Sequence, residues 1–293
     1  LKILITGSNG FIGKSLLEAL KHLEVVRPLR TEWHSYLEGV DCVIHLAGKA
    51  HTPLNGRKNE LNEYRSINVK KTLELAQKAA LAKVKRFIFM SSIKVNGETT
   101  GRKKFTAYDT ASPEDAYGLS KLEAELGLRQ IASQTGMEVV IIRAPLVYGP
   151  GVKANFLSLL HFVNYYVPMP FGMIHNKRSF VSVDNLINLI LECIKHPKAA
   201  NKTFLVSDDQ DISIGELLKK ISIAFNKPAI LIPVPLWILK AFFRSFWMKK
   251  MEDRLLASMQ IDITYTKKIL NWYPPYTIEQ GLLNTVVSYK SQH

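Results

Sequence analysis

The sequence predicts an α/β fold: a doubly wound parallel sheet with helices on both faces, followed by a smaller C-terminal α/β lobe. Three observations carry this. Short apolar runs alternate with helix-period segments over the first half of the chain. A glycine-rich turn joins the first run to the first helix. The alternation then becomes irregular after Pro150. Strands that alternate with helices build βαβ units, and right-handed crossovers distribute the helices over both faces.

Leu1 to Thr6 is an apolar run with one lysine, the pattern of a strand buried on both sides. Phe11, Ile12, Leu16, Leu17, Leu20 and Leu23 follow at helical spacing. Val25 to Leu29 and Val40 to Ala47 read as the second and third strands. Leu61 to Ala82 reads as a long helix, Arg86 to Met90 as a strand, Pro113 to Ser133 as a helix and Glu138 to Arg143 as a strand. Ser179 to Val183 and Asp184 to Lys195 read as a strand and helix that return to the sheet. The expected division is 1–148 plus 179–200 for the larger domain, and 149–178 plus 201–293 for the smaller lobe.

The 293 residues are 47% hydrophobic and 22% charged, which argues against a disordered or disulfide-stapled chain. A net charge of +14 invites an anionic partner (nucleic acid, an anionic membrane surface or a small phosphorylated ligand), with a solvated basic surface as the equal alternative. The basic residues are dispersed, with no zinc-finger spacing and no RNA-binding aromatic motif, so no nucleic-acid partner is expected. Cys42 and Cys193 make no metal-ligand spacing; a reducing, cytoplasmic setting and no metal are expected. The chain opens on a strand-like LKILITG, so no signal peptide is expected. Ala229 to Phe243, the most apolar stretch, is broken by Pro233, Pro235 and Lys240 and falls short of a span of about 20 residues.

The first strand ends in Gly7-Ser8-Asn9-Gly10-Phe11-Ile12-Gly13, and a helix begins at once. Gly7 permits the tight turn, Gly10 lets backbone approach a pyrophosphate, and Gly13 allows close helix–strand packing. The helix N-terminus offers free N–H groups to the phosphates. This context predicts a Rossmann-type site for NAD or NADP. An acid at the end of the second strand would bind the ribose hydroxyl of NAD. The chain instead reads Val25-Val26-Arg27-Pro28-Leu29-Arg30, with no acid before Glu32. Arg27 and Arg30 tilt the choice toward NADP; as surface charges they would carry no such meaning.

Tyr117 and Lys121 stand i,i+4 on a helix and share a face. A phenol with a reference pKa of about 10 is a poor base at neutral pH, and a neighbouring ammonium favours the phenolate. Tyr117 would then exchange a proton with a substrate hydroxyl while hydride moves to or from a nicotinamide. Ser92, at the C-terminal end of the strand Arg86 to Met90, lies where ligands bind in a parallel sheet and would orient the same oxygen. The bland alternative for Ser92 is a strand-end serine capping the next turn.

Glycine turn, strand-end serine and Tyr-x-x-x-Lys, in this order, resemble the extended short-chain dehydrogenase/reductase superfamily. Asn68 in Ile67-Asn68-Val69, His45-Leu46-Ala47-Gly48, Val147-Tyr148-Gly149-Pro150 and the segment Arg178 to Asp184 extend the resemblance over nearly the whole chain. The last two resemble its nucleotide-sugar epimerase/dehydratase branch, and within it bacterial UDP-sugar 4-epimerases and 4-keto-sugar reductases of surface-polysaccharide pathways. The resemblance implies Ser92, Tyr117 and Lys121 as catalytic residues and Gly7, Gly10 and Gly13 at the pyrophosphate. It implies further cofactor contacts from Asn9, Phe11, Ile12, Leu46, Ala47, Gly48, Asn68, Ser91 and Pro145. It also implies a nucleotide-sugar-binding lobe, with Ser92, Lys94, Asn155, Arg178 and Arg254 toward a UDP-sugar. Ile93 and Lys94 replace the Asp-Glu pair of the 4,6-dehydratases, which argues against dehydration. Asn96 replaces the tyrosine, and Leu146 the asparagine, of many 4-epimerases.

The leading expectation is a UDP-sugar 4-epimerase of the UDP-glucose or UDP-N-acetylhexosamine type. The alternative is an NADPH-dependent reductase of a 4-keto-6-deoxy UDP-sugar, and a third is a non-catalytic nucleotide-binding regulator, against which the retention of both Tyr117 and Lys121 argues. His45 and His51 bracket a strand end without a third metal ligand. Lys49 and Lys94 face either the diphosphate or solvent. The family often dimerises through the helices 61–82 and 114–133, so a homodimer is expected. Pro235 to Lys250 mixes Trp237, Phe242, Phe243, Phe246 and Trp247 with Lys240, Arg244, Lys249 and Lys250. It reads as a helix burying its aromatics in the smaller lobe, with peripheral membrane contact as the alternative.

Overall fold

The computed structural model describes residues 1–28, 33–50, 59–246 and 249–292. Among them are the strands β1 (Lys2–Thr6), β2 (Glu24–Val26), β3 (Cys42–His45), β4 (Arg86–Ser92), β5 (Glu138–Ala144), β6 (Leu146–Tyr148), β7 (Phe180–Ser182) and β8 (Thr203–Leu205). The helices are α1 (Phe11–Ala19), α2 (Glu60–Tyr64), α3 (Lys71–Leu81), α4 (Ala116–Thr135), α5 (Ala154–Asn164) and α6 (Val183–Lys195). They continue with α7 (Ile214–Phe225), α8 (Leu236–Ser245), α9 (Lys249–Leu256), α10 (Thr264–Leu270) and α11 (Ile278–Gln292). A parallel six-stranded sheet runs β2-β1-β3-β4-β5-β8. The order reverses between β1 and β3, so the crevice beyond their C-terminal ends is the switch point where ligands bind in such sheets.

Alternation along each strand feeds two cores. Ile3, Ile5, Ile44, Ile88 and Ile142 pack with Leu16 of α1 and with Leu186, Leu189 and Ile190 of α6. Leu4, Val43, Phe87, Phe89 and Ile141 face the other way, against Leu75 and Ala79 of α3 and Ala124 and Leu128 of α4. Each such leucine contributes roughly 1.5–3 kcal/mol by leaving water. A third cluster joins Tyr148, Phe156, Leu160, Phe180, Leu217, Ile221 and Val286 in the smaller lobe, built by α5, α7, α8 and α11.

The parallel, doubly wound sheet is as the periodicity predicts; three elements differ. The expected strand 179–183 does not enter the main sheet: β7 pairs with β6. Pro145 lacks an amide hydrogen and ends the β5 ladder, so the chain leaves the sheet as β6. The place beside β5 is taken by β8, through Ile141↔Thr203 to Arg143↔Leu205. Residues 203–205, assigned to the smaller lobe from sequence, therefore belong to the main sheet, and Met259, Ile261, Ile263, Leu270 and Trp272 pack into its core. Third, the helix expected over 61–82 is interrupted by a π-helical stretch, Arg65–Lys70, between α2 and α3. No helix among the described residues is long and apolar enough to cross a membrane.

Candidate functional site

The glycine turn sits at the switch point. Gly7 has φ +74°, and a Cβ there would stand 2.7 Å from the Ala47 amide nitrogen. A Cβ on Gly13 would lie 2.3 Å from the Gly7 carbonyl oxygen. Both glycines are thus required by backbone approach, which the sequence reading assigns correctly to Gly13. Gly10 N–H donates to Gly7 O at 2.9 Å and caps α1, with no side-chain cap bond. The first amides of α1 are therefore left for a ligand, and the partial positive charge of the helix end favours an anionic one. Asn9 and Gly10 are exposed and Phe11 and Ile12 half-buried around this end. This donor set fits a dinucleotide pyrophosphate.

The end of β3 is tied to the same place. Leu46 N–H donates to Thr6 O at 3.2 Å and Ala47 N–H to the Thr6 hydroxyl at 3.3 Å. His45 is buried between Thr6 Oγ1 (2.6 Å to Nδ1) and Thr72 Oγ1 (2.9 Å to Nε2). Burial, with the Lys121 charge, pulls its pKa down to about 3, so it stays neutral. Asn68 lies in the π-helical stretch; its Oδ1 accepts from Lys49 N–H at 2.8 Å, and its Nδ2 donates to Lys49 O and to Ser120 Oγ. A Cβ on Gly48 would meet Lys121 Nζ at 3.2 Å and Asn68 Oδ1 at 3.3 Å. Leu46, Ala47, Gly48 and Asn68 thus line the passage from the glycine turn to Lys121.

Ser92, Tyr117 and Lys121 come together where β4 ends against α4. Asp115 caps α4 by accepting the Gly118 N–H at 2.7 Å, which places Tyr117 and Lys121 in the first two turns. The Ser92 hydroxyl neighbours the half-buried Tyr117 phenol and accepts from Lys94 N–H at 3.3 Å. Lys121 Nζ is buried, donates to Met90 O at 2.9 Å and lies 4.6 Å from the Phe89 ring centre. Burial pulls the lysine down to about 8, opposed by Glu125. Burial pushes Tyr117 up to about 12; the neighbouring Ser92 hydroxyl pulls the other way, and Asp115 and Tyr64 push further up. The expected priming of the phenol by Lys121 is not in place in this arrangement. Nζ stands 6.0 Å from the Tyr117 ring centre, because a buried ammonium needs an acceptor and finds the Met90 carbonyl.

Sequence reasoning missed the supports beneath this trio. Glu125 is buried one helical turn beyond Lys121. It receives two bonds from Arg143 (3.0 and 2.6 Å) and the Ser91 hydroxyl at 2.5 Å. Arg143 also donates to Asn96 Oδ1 at 2.9 Å, and Asn96 to Thr106 O at 3.0 Å. Ser91 therefore serves Glu125. Asn96, which departs from the family's tyrosine, holds the loop after β4. The i,i+4 spacing Tyr117, Lys121, Glu125 was the available signal.

Lys94 departs from its expected setting toward a ligand. Its Nζ stands between Glu98 (2.5 Å) and Asp115 (2.6 Å), bracing the β4 loop against the α4 cap. Burial alone would raise the Asp115 carboxyl, but the bonds from Lys94 and Gly118 hold it below its usual range. Lys49 is likewise paired, with Glu63 at 2.6 Å.

Arg178 enters from the smaller lobe. Its Nη1 donates to Asp253 O at 3.2 Å and Ala257 O at 2.9 Å. Burial pulls its pKa down to about 10; the nearby Glu98 carboxylate opposes this and the Arg254 charge adds to it. Arg254 is exposed on α9, next along the chain to Asp253, whose carbonyl Arg178 contacts. Asn155 is exposed in the first turn of α5, and Pro145 is buried at the end of β5. Arg27 is exposed directly after β2. Arg30, His51 and Trp247 lie outside the described residues, as do the side chains of Lys249 and Lys250.

Residues 3–207 match the family model described as the NAD dependent epimerase/dehydratase family. A UDP-glucose 4-epimerase of Vibrio cholerae is 43% identical over 98% of this chain and 95% of its own length. A UDP-2-acetamido-2,6-beta-L-arabino-hexul-4-ose reductase of Pseudomonas aeruginosa is 24% identical over 75% of this chain and 57% of its own. Among solved structures, the UDP-glucuronic acid 4-epimerase of Bacillus cereus in complex with NAD superposes with a TM-score of 0.81. It covers 100% of this chain and 99% of its own at 20% identity, a likeness that shows the fold.

Proposed function

The chain belongs to the NAD dependent epimerase/dehydratase family, and from that premise we propose that it interconverts UDP-sugars epimeric at C4, UDP-glucose and UDP-galactose first among them. The observation that carries the chemistry is the convergence of Ser92, Tyr117 and the buried Lys121 where β4 ends against the start of α4. The 43% identity to a UDP-glucose 4-epimerase over nearly the whole chain supports the substrate.

The exposed glycine turn, the free end of α1, Leu46 to Gly48, Asn68 and Pro145 would hold a nicotinamide dinucleotide. Bound there, it supplies the hydride acceptor and donor that these side chains lack and, when oxidised, a positive charge beside the phenol. Tyr117 takes the proton of the sugar's C4 hydroxyl as that carbon becomes a ketone, and returns it when the carbon is reduced from its other face. Ser92 holds the same oxygen within reach. Lys121, kept charged by Glu125, stabilises negative charge on the oxygens near it. Arg178 and Arg254 hold the diphosphate, and Asn155 contacts the substrate from the start of α5. Lys94 acts as a brace, leaving the ligand to its neighbours.

A second reading, reduction of a 4-keto UDP-sugar by NADPH, is favoured by one observation: exposed Arg27 follows β2 where an acid would mark NAD. Proton NMR of purified protein with UDP-galactose, without added dinucleotide or reductant, separates the two. The epimerase builds up UDP-glucose; a protein that leaves UDP-galactose untouched but oxidises NADPH with a 4-keto sugar is the reductase. We further propose a homodimer through α3 and α4, supported by the exposure of Leu81 and Leu126 on these adjacent helices.

A further inference from the structure

Helix α8 turns its aromatic side outward. Only Leu239 and Phe243 are buried, whereas Trp237 is 71%, Phe242 52% and Phe246 62% exposed. At 100° per residue, Trp237, Ile238, Ala241 and Phe242 form one continuous outward face, with Lys240 and Arg244 along one edge. The sequence-based expectation that this helix buries its aromatics is therefore corrected: the lobe core takes two of its apolar side chains and leaves the larger set in water. The exposed band continues into Ile230 and Ile232, which backbone bonds fasten to Met169.

The chain segment that carries this face has charge of one sign. Between Glu216 and Glu252 the chain contains seven lysines and arginines and no acidic residue. Lys220 pairs with Glu279 and Arg244 has Glu252 at 3.6 Å, and among the described residues no ion pair is formed by Lys240 on the edge of the face. A second copy pressed against this face would bring two acid-free basic segments together, which like charge opposes. An anionic lipid surface satisfies both features at once, taking the aromatic side chains at the headgroup level and the basic edge at the phosphates. No described helix is built to span, so the contact lies in the interface plane.

We propose that the outward face of α8 docks this protein on anionic membrane surfaces. The face is coupled to the candidate site through the fold: α8 packs on α9, whose Asp253 carbonyl accepts from Arg178 and which carries Arg254. A membrane seat would therefore set the substrate lobe at the lipid headgroups.

The test is co-sedimentation of the full chain with vesicles of phosphatidylcholine, with and without phosphatidylglycerol. Binding is expected only with the anionic lipid, decreasing as salt rises. A Trp237→Ser/Phe242→Ser variant, altered only at exposed positions, is expected to partition at least about tenfold less with an unchanged melting temperature. Lys240→Gln is expected to lose about fivefold. Absence of wild-type binding to the anionic vesicles overturns the proposal, and so does undiminished binding of the double variant. Self-association abolished by the double variant, without vesicle binding, would assign the face to a second copy and overturn it equally. None of these readouts depends on catalytic activity.

Discussion

At the scale of single residues, the site is a set of polar groups made expensive by burial and then satisfied. His45 illustrates the consequence. Its folded pKa of about 3 lies far below the ordinary 6.5, so between these values the unfolded chain binds a proton that the folded chain refuses. Stability therefore falls as pH drops from about 6.5 toward 3, with a slope of up to about 1.4 kcal/mol per pH unit from this group. Removing the imidazole, as in His45→Gln, is expected to flatten the urea-unfolding free energy across that window; an unchanged slope would show that His45 is not the group responsible. Glu125 and Arg143 are a buried pair of the kind whose single members cannot be removed without leaving a bare charge, a loss of about 3–5 kcal/mol. That Ser92, Tyr117 and Lys121 come together was legible because a strand-end serine and an i,i+4 Tyr–Lys pair at the start of a helix are visible in spacing alone. Their supports were not: Glu125 reads as an ordinary helical glutamate until Arg143 arrives from another strand. The setting of Lys94 depended in the same way on Glu98 and Asp115, whose approach no local pattern states.

At the scale of elements, the turn between β1 and α1 carries the most constraint. The close approach of Gly13 to the Gly7 carbonyl involves backbone on both sides, so no side chain can swing away to admit a methyl group. Gly13→Ala is expected to destabilise the fold by about 1–3 kcal/mol and to weaken dinucleotide binding, read by thermal unfolding and by titration of nicotinamide fluorescence. A variant with wild-type stability and affinity would refute the packing role. This turn was readable because one run of glycines at one strand–helix junction specifies it. The main-sheet strands β1, β3, β4 and β5 were readable because a strand buried on both faces is apolar throughout. The fates of β7 and β8 were not, since three-residue strands carry no period and the sheet edge is allotted by competition between them. The π-helical stretch around Asn68 was equally hidden; it serves a side chain that must reach Lys49 and Ser120 together.

At the scale of the whole molecule, the proposed site draws on both parts of the chain, with Arg178 and Arg254 supplied by the smaller lobe. Backbone bonds between Thr100 and Ser258 and between Phe105 and Gln260 hold the two parts in register. The two arginines should respond differently. Arg254 is exposed on α9, so Arg254→Ala is expected to raise KM for a UDP-sugar about tenfold, the loss of one charge-assisted contact, with kcat and melting temperature nearly unchanged. A fall in kcat at constant KM would place Arg254 elsewhere in the reaction. The excess of positive charge was plain from composition; that Arg178 is half-buried against α9 while Lys240 and Arg244 edge the outward aromatic face of α8 required the fold.

The most direct measurement concerns the phenol of Tyr117. Tyr117→Phe removes one oxygen from a site whose glycine turn, lysine and arginines remain in place. Steady-state conversion of UDP-galactose by this variant is expected to lose about 10²–10⁴ in kcat, while the UDP-sugar dissociation constant from calorimetry stays within a few-fold of wild type. A Tyr117→Phe protein that turns over within about tenfold of wild type would contradict the account.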